Sequence, residues 1–216
     1  MESWDRFHRE REEEIKEEHP AESVVRLVET LKENNCKKVL DHGCGTGRNL
    51  LYLQNQGFEV YGFDCSDFAL DKLRQKGLDK KYIHKGDMSK LPFKDDFFDA
   101  LISILAIQHG DLKQIKRYIS EIKRVVKPNG IILITTPSIH YLKDVKTERT
   151  REISKETYIN LDVTDGDQPH HFFSTEGMES FFKDDEILRN EYRDEQGFFM
   201  KKKINHLIFM CRLRGK

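Results

Sequence analysis

Long apolar runs are missing from this chain. The longest, Ala100 to Ile107, falls far short of the ~20 residues that a membrane-spanning helix needs. The charged start, MESWDRFHREREEE, predicts no secretory leader. Paired cysteines are missing too. Cys36, Cys44, Cys65 and Cys211 form no C-x-x-C, which removes the usual spacing of a structural zinc site, and no metal is expected. Charge of one sign is also absent. The formal net charge is -1, so no global field draws nucleic acid or anionic lipid, and the longest basic tract is KKK at 201–203. Repeats and low-complexity segments do not occur. These absences predict a soluble cytoplasmic protein without membrane or nucleic-acid partners. They leave its oligomeric state open.

What is present is one domain's worth of patterned sequence. A chain of 216 residues can bury roughly 70% of its unfolded surface, enough for a core without disulfide or metal. Charged residues make up 35%, above the about 25% of an average domain, so the surface is dense in both signs. Val24, Val25, Leu27, Val28 and Leu31 predict a helix at 21–33. Leu112, Ile115, Ile119, Ile122, Val125 and Val126 predict another at 111–127, closed by the KPNG turn at 127–130. Short apolar runs at 38–42, 58–63, 81–85, 98–103 and 131–136 read as buried strands, with helices at 47–56 and 67–77 between the first three. This alternation predicts an α/β, three-layer sandwich around a parallel sheet. Residues 3–18 read as a charged helical arm with a sparse stripe of Trp4, Phe7 and Ile15, set off by Pro20. Residues 140–173 lack any period, and a short helix is expected at 175–183.

The first strand runs into VLDHGCGTGRN, at 39–49, and the second, EVYGFD, ends on Asp64. Glycines at 43, 45 and 47 let backbone approach a ligand, and the helix that follows opens with unpaired N–H groups. An acid about 20 positions on, at the tip of the next strand, is where such folds hold ribose hydroxyls. The loop therefore reads as a site for a nucleoside-containing cofactor. Its spacing argues against a dinucleotide. G-x-G-x-x-G from Gly43 would put its third glycine where Arg48 stands, and Asp41 would repel a pyrophosphate but suit an ammonium group. No G-x-x-x-x-G-K-[ST] occurs.

LDHGCGTG closely resembles the first motif, (V/L)LDxGCGxG, of the class I S-adenosylmethionine-dependent methyltransferases. LPFKDDFFD and the KPNG turn resemble the ubiquinone- and menaquinone-biosynthesis branch, the small-molecule "type 11" enzymes. The resemblance covers residues 36 to 137 strongly. It implies a Rossmann-like, seven-stranded, mostly parallel sheet whose last strand is antiparallel, with 186–193 and 205–213 as the last two strands and QGFFMKKKI between them. It also implies S-adenosyl-L-methionine as cofactor. Asp64 would take the ribose hydroxyls, Asp87 the adenine amine and Met88 the ring face. Asp41 and Gly43 would lie near the methionine part. Gly45, Asn49, Cys65 and Ser103 complete the expected cofactor contacts. Cys44 and Cys65 otherwise read as small packing side chains.

Methyl transfer needs alignment and exclusion of water more than it needs a base, so no catalytic residue is assigned. His109, His170 and His171 are the lesser candidates, with Tyr141 and Tyr158 behind them. The stretch after the fourth strand reads SILAIQ where amino-methylating enzymes carry (N/D)PP(Y/F), which argues against those enzymes. The expected organisation is one methyltransferase domain at 1–216. Within it lie an arm at 1–20 that folds over the cofactor, a cofactor-binding core at 36–137 and a substrate-side insertion at 138–185. The expected activity is methylation of a small-molecule acceptor. An RNA or protein methyltransferase and a non-catalytic S-adenosylmethionine-binding module are the alternatives.

Overall fold

A computed structural model describes residues 2–12, 19–163, 168–196 and 203–215. The sheet grows from the strand at the glycine loop. That strand, β1 (Lys38–His42), lies parallel to β2 (Glu59–Asp64) on one side and to β4 (Phe98–Ile104) on the other. The short β3 (Ile83–Lys85) edges β2, and β5 (Val126–Pro137) continues beyond β4, both parallel. The long hairpin of β9 (Glu186–Gln196) and β10 (Lys203–Arg212) then adds β10 antiparallel to β5. The seven-stranded order is β3-β2-β1-β4-β5-β10-β9. A smaller sheet of β6 (Arg151–Ser154), β7 (Thr157–Ile159) and β8 (His170–His171) stands apart from it.

Period-two alternation makes this a three-layer structure. Val39, Ala100, Ile102, Ile131, Leu133 and Ile208 point to one face. There they meet Leu27 and Leu31 of α2 (Glu22–Glu33), Leu50 and Leu53 of α3 (Arg48–Asn55), and Leu70 and Leu73 of α4 (Asp67–Gln75). Leu40, Leu101, Ile132, Ile134, Leu207 and Phe209 point to the other. They meet Ile115, Ile119 and Ile122 of α5 (Leu112–Val125) and Met178 of α7 (Thr175–Phe181). Before these stands the arm helix α1 (Glu2–Glu10), and α6 (Leu142–Val145) is a single turn after β5.

Two expectations change. The KPNG turn lies inside β5 rather than ahead of it: Val126 already pairs with Phe98, and pairing resumes with Ile131 opposite Ala100. Residues 127–130 bulge between these pairs, turned by Asn129 at φ 64°. Within the aperiodic stretch, residues 140–163 and 168–173 are folded, but their strands are two to four residues long, too short for a period to register. Ile15 of the arm and most of the QGFFMKKKI loop lie outside the described residues. Among the described residues, no helix is long and apolar enough to cross a membrane.

Asp99 fastens the base of the sheet. Its Oδ2 accepts from the backbone N–H groups of Lys37 and Lys38 at 2.9 and 2.8 Å, and its Oδ1 from Lys127 Nζ at 2.6 Å. Burial pushes this carboxyl up, yet the Lys127 ammonium and the two N–H groups hold it, on balance, below the ordinary carboxylate range. Asp99→Ala should cost about 1–3 kcal/mol in urea unfolding at pH 7, because it orphans two backbone donors. A folded pKa below the unfolded ~3.9 means this stabilisation is full above that value and is lost as pH falls through the folded one. Wild-type and variant stabilities should therefore converge in acid.

Candidate active site

The glycine loop owes its path to what surrounds it. Gly43 has φ +78°, and a Cβ there would come within 2.5 Å of Ala106 Cβ and 3.0 Å of Met88 Cε. At Gly47, φ +90°, a Cβ would run into Leu73 of α4. The N–H groups of Gly43 and Cys44 both donate to the Phe63 carbonyl, at 2.8 and 3.0 Å, which locks the loop against β2. Asp64 Oδ2 accepts from the Gly45 N–H at 2.8 Å, and its Oδ1 from the Ser66 N–H at 2.9 Å. The cap of α4 is Ser66, whose Oγ accepts from the Ala69 N–H, so Asp64 is not spent on capping. A carboxylate has about four lone-pair positions, and half of them remain for a ligand.

A cavity of about 540 Å³ opens above these strand ends. One end is walled by Asp64, Cys65, Gly86, Asp87, Met88 and Tyr118. The other, beyond β4, is walled by Pro137, Tyr141, Phe172, Ile204 and His206. The arm helix contributes Trp4, Phe7 and His8 to its wall. Asp5 holds the arm in place by accepting from Ser66 Oγ at 2.6 Å and from the Phe68 N–H at 3.1 Å. Glu12 pairs with Lys72, and the Arg9 guanidinium lies 4.8 Å over the Phe68 ring. The indole of Trp4 then meets the His109 ring edge-on at 4.7 Å.

Most of the residues singled out in the sequence converge here. Gly43, Gly45, Asn49, Asp64, Cys65, Asp87, Met88, His109 and His170 all line the cavity. His109 and His170 are distant in sequence but adjacent in the fold: a backbone bridge joins them and their rings meet edge-on at 4.8 Å. Asp41, Ser103 and His171 stand behind the wall. Asp41 follows Val39 onto the helix face of the sheet, where it accepts from the Leu50 N–H beneath α3. Burial pushes its carboxyl up to about 7. Ser103 points to the opposite face, 3.1 Å from His42 Nδ1. His171 turns inward to Thr157 Oγ1 at 2.8 Å, and burial lowers its pKa to about 4. The thiols are inert: burial first, then Asp64, raises Cys65 to about 12, and the same causes raise Cys44.

Gln108, Ile204 and His206 also line the cavity, and sequence reasoning did not single them out. His206 had a readable signal, as a histidine inside the apolar strand NHLIFMC. Gln108, in the loop after β4, gave none, and neither did Ile204, which reaches the site only through pairing of β10 with β5. Gly43→Ala should abolish adenosyl-ligand binding in titration calorimetry, since its methyl must displace Ala106 or Met88. It should also lower stability by roughly 1–3 kcal/mol in urea unfolding.

Residues 40–134 match the family model described as a methyltransferase domain. Malonyl-[acyl-carrier protein] O-methyltransferase of Erwinia pyrifoliae is 35% identical over 120 residues, 56% of this chain and 45% of that protein. Sterol 24-C-methyltransferase of Schizosaccharomyces pombe is 31% identical over 141 residues, 60% of this chain and 34% of that protein. The chain thus spans less than half the length of these curated relatives. A solved S-adenosylmethionine-dependent methyltransferase from Clostridium acetobutylicum has the same fold, with a TM-score of 0.70 at 18% identity over 98% of this chain and 99% of that one. Residues 40–134, which hold the glycine loop and strands β2 and β4, are thus similar to a methyltransferase domain, and the fold is that of the solved S-adenosylmethionine-dependent methyltransferase.

Proposed function

We propose that the protein transfers a methyl group from S-adenosylmethionine to a small-molecule acceptor. One observation carries this reading: a single continuous cavity runs from the Asp64–Asp87 end to the Tyr141–His206 end. It offers one place for a nucleoside and another for an acceptor. The donor set suits S-adenosylmethionine better than a polyphosphate. Asp64 and Asp87 line the cavity, and Arg48 is the only lysine or arginine among the described lining residues. When bound, the cofactor supplies a methyl group on a positively charged sulfur.

The chain's own residues then have separable tasks. Asp64 accepts from the ribose hydroxyls with the lone pairs that Gly45 and Ser66 leave unused. Asp87, one oxygen of which already holds the Ser89 N–H at 2.7 Å, accepts from the adenine amine with the other. Met88 packs a polarizable side chain on the ring face. Asp41 acts through α3, by anchoring the turn that carries Asn49, rather than by touching the ligand. Ser103 supports the wall through His42. Tyr141, Phe172 and Ile204 seat the apolar part of the acceptor and keep water out, which alignment of an in-line displacement requires. His109 and His170 form the wall between the two halves, under Trp4.

The arm and the segment at 138–185 serve as the two covers of this cavity. An enclosing arm favours a small acceptor over a polymer. The relatives include an O- and a C-methyltransferase, so the acceptor atom is not carried over from them.

Titration calorimetry with S-adenosylmethionine tests the reading directly. Binding is expected, and Asp64→Ala should weaken it by roughly 1–3 kcal/mol; no heat at millimolar ligand would sink the proposal. Removal of residues 1–18 should weaken cofactor binding and slow turnover. Unchanged values for both would remove the arm from the site.

A further inference from the structure

His206 has no task in the reading above, and its surroundings define one. It opens the buried part of β10, opposite Pro137, and lines the acceptor half of the cavity at 2% exposure. Its Nδ1 is sealed from solvent and has no hydrogen-bond partner. A proton there would be an orphaned buried donor, so the proton belongs on Nε2. Burial, with the Arg48 guanidinium nearby, holds the ring neutral, at a pKa of about 4, against the opposing pull of Asp194. That carboxylate already accepts from Asn205 Nδ2 at 2.7 Å. Arg48, the first residue of α3, lines the same cavity and also faces the buried Asp41. Two donors, the Arg48 guanidinium and the His206 Nε2–H, therefore line one cavity within electrostatic reach of each other. Their complement is an anionic oxygen pair.

We propose that Arg48 and His206 form a two-point socket for a ligand carboxylate. The inference rests on the methyl-transfer reading, which supplies two sources for that group: the amino-acid end of the donor, or a carboxylate on the acceptor. The socket fixes how far the ligand advances along the cavity, Arg48 by charge and His206 by one directed hydrogen bond.

The test uses the full-length protein, His206→Phe, which keeps ring volume without a donor, and His206→Gln, which restores an N–H near Nε2. Thermal melts check that each variant is folded. Calorimetry then measures S-adenosylhomocysteine, 5′-methylthioadenosine, which lacks the amino-acid end, and benzoate added to the S-adenosylhomocysteine-loaded protein. If the donor's carboxylate fills the socket, His206→Phe weakens S-adenosylhomocysteine at least about tenfold and leaves 5′-methylthioadenosine unchanged. If the acceptor's does, both nucleosides keep their affinity and benzoate binding is lost. His206→Gln recovers most of either effect. Equal loss for both nucleosides, or no change in any of the three, overturns the socket. Failure of the wild type to bind either nucleoside defeats the methyl-transfer reading itself.

Discussion

Asp64 is the carboxylate on which the site depends. One oxygen holds the Gly45 N–H of the loop after β1, and the other holds the Ser66 N–H that starts the turn into α4. Ser66 in turn caps α4 and donates to Asp5 of the arm. Three segments distant in sequence are therefore positioned by one short hydrogen-bonded chain. Hydrogen bonds to a charged group are the stronger kind, and here they lie at a nearly buried carboxylate, where water competes little. The same geometry leaves lone pairs turned toward the cavity. Structure and recognition share one side chain because its oxygens divide between them.

The sheet determines where everything else can stand. Parallel strands β2, β1, β4 and β5 end on one edge, and the reversal on either side of β1 opens a crevice there. The Asp64–Asp87 end of the cavity rests on the strands nearest the glycine loop. The Tyr141–His206 end needs β10, which runs against β5 and so brings Ile204 and His206 beside Pro137. It also needs the small sheet, tied to the exit of β4 through the His109–His170 bridge and the Gly110 N–H to Pro169 carbonyl bond of 2.9 Å. The end at the glycine loop is thus built from contiguous local units and the opposite end from long-range pairing.

This division explains what could be read from residues alone. The glycine loop, Asp64 and the Asp87–Met88 turn were legible because each is a local device whose spacing follows from strand and helix geometry. Strands 38–42 and 98–104 and helix 112–125 were legible from their periods. The KPNG bulge was not, because a turn residue at a helix end and one inside a strand look alike until β4 supplies the pairing. Asp41 and Ser103 carried the right chemistry at the right edge. Their side-chain direction depends on which face of the pleat each occupies, and that direction puts them behind the wall.

By itself the sequence determined the likeness to methyltransferases and, through it, the donor, since a strand, three glycines and an acid at the next strand's tip admit few ligands. Tertiary structure alone decided the opposite end of the cavity. Trp4, His170 and His206 stand at the start, late middle and end of the chain. Only the docking of α1 on α4, of the small sheet on β4, and of β10 on β5 brings them to one cavity. No local spacing encodes such contacts, because the free energy that forms them comes from burial and pairing across the whole fold.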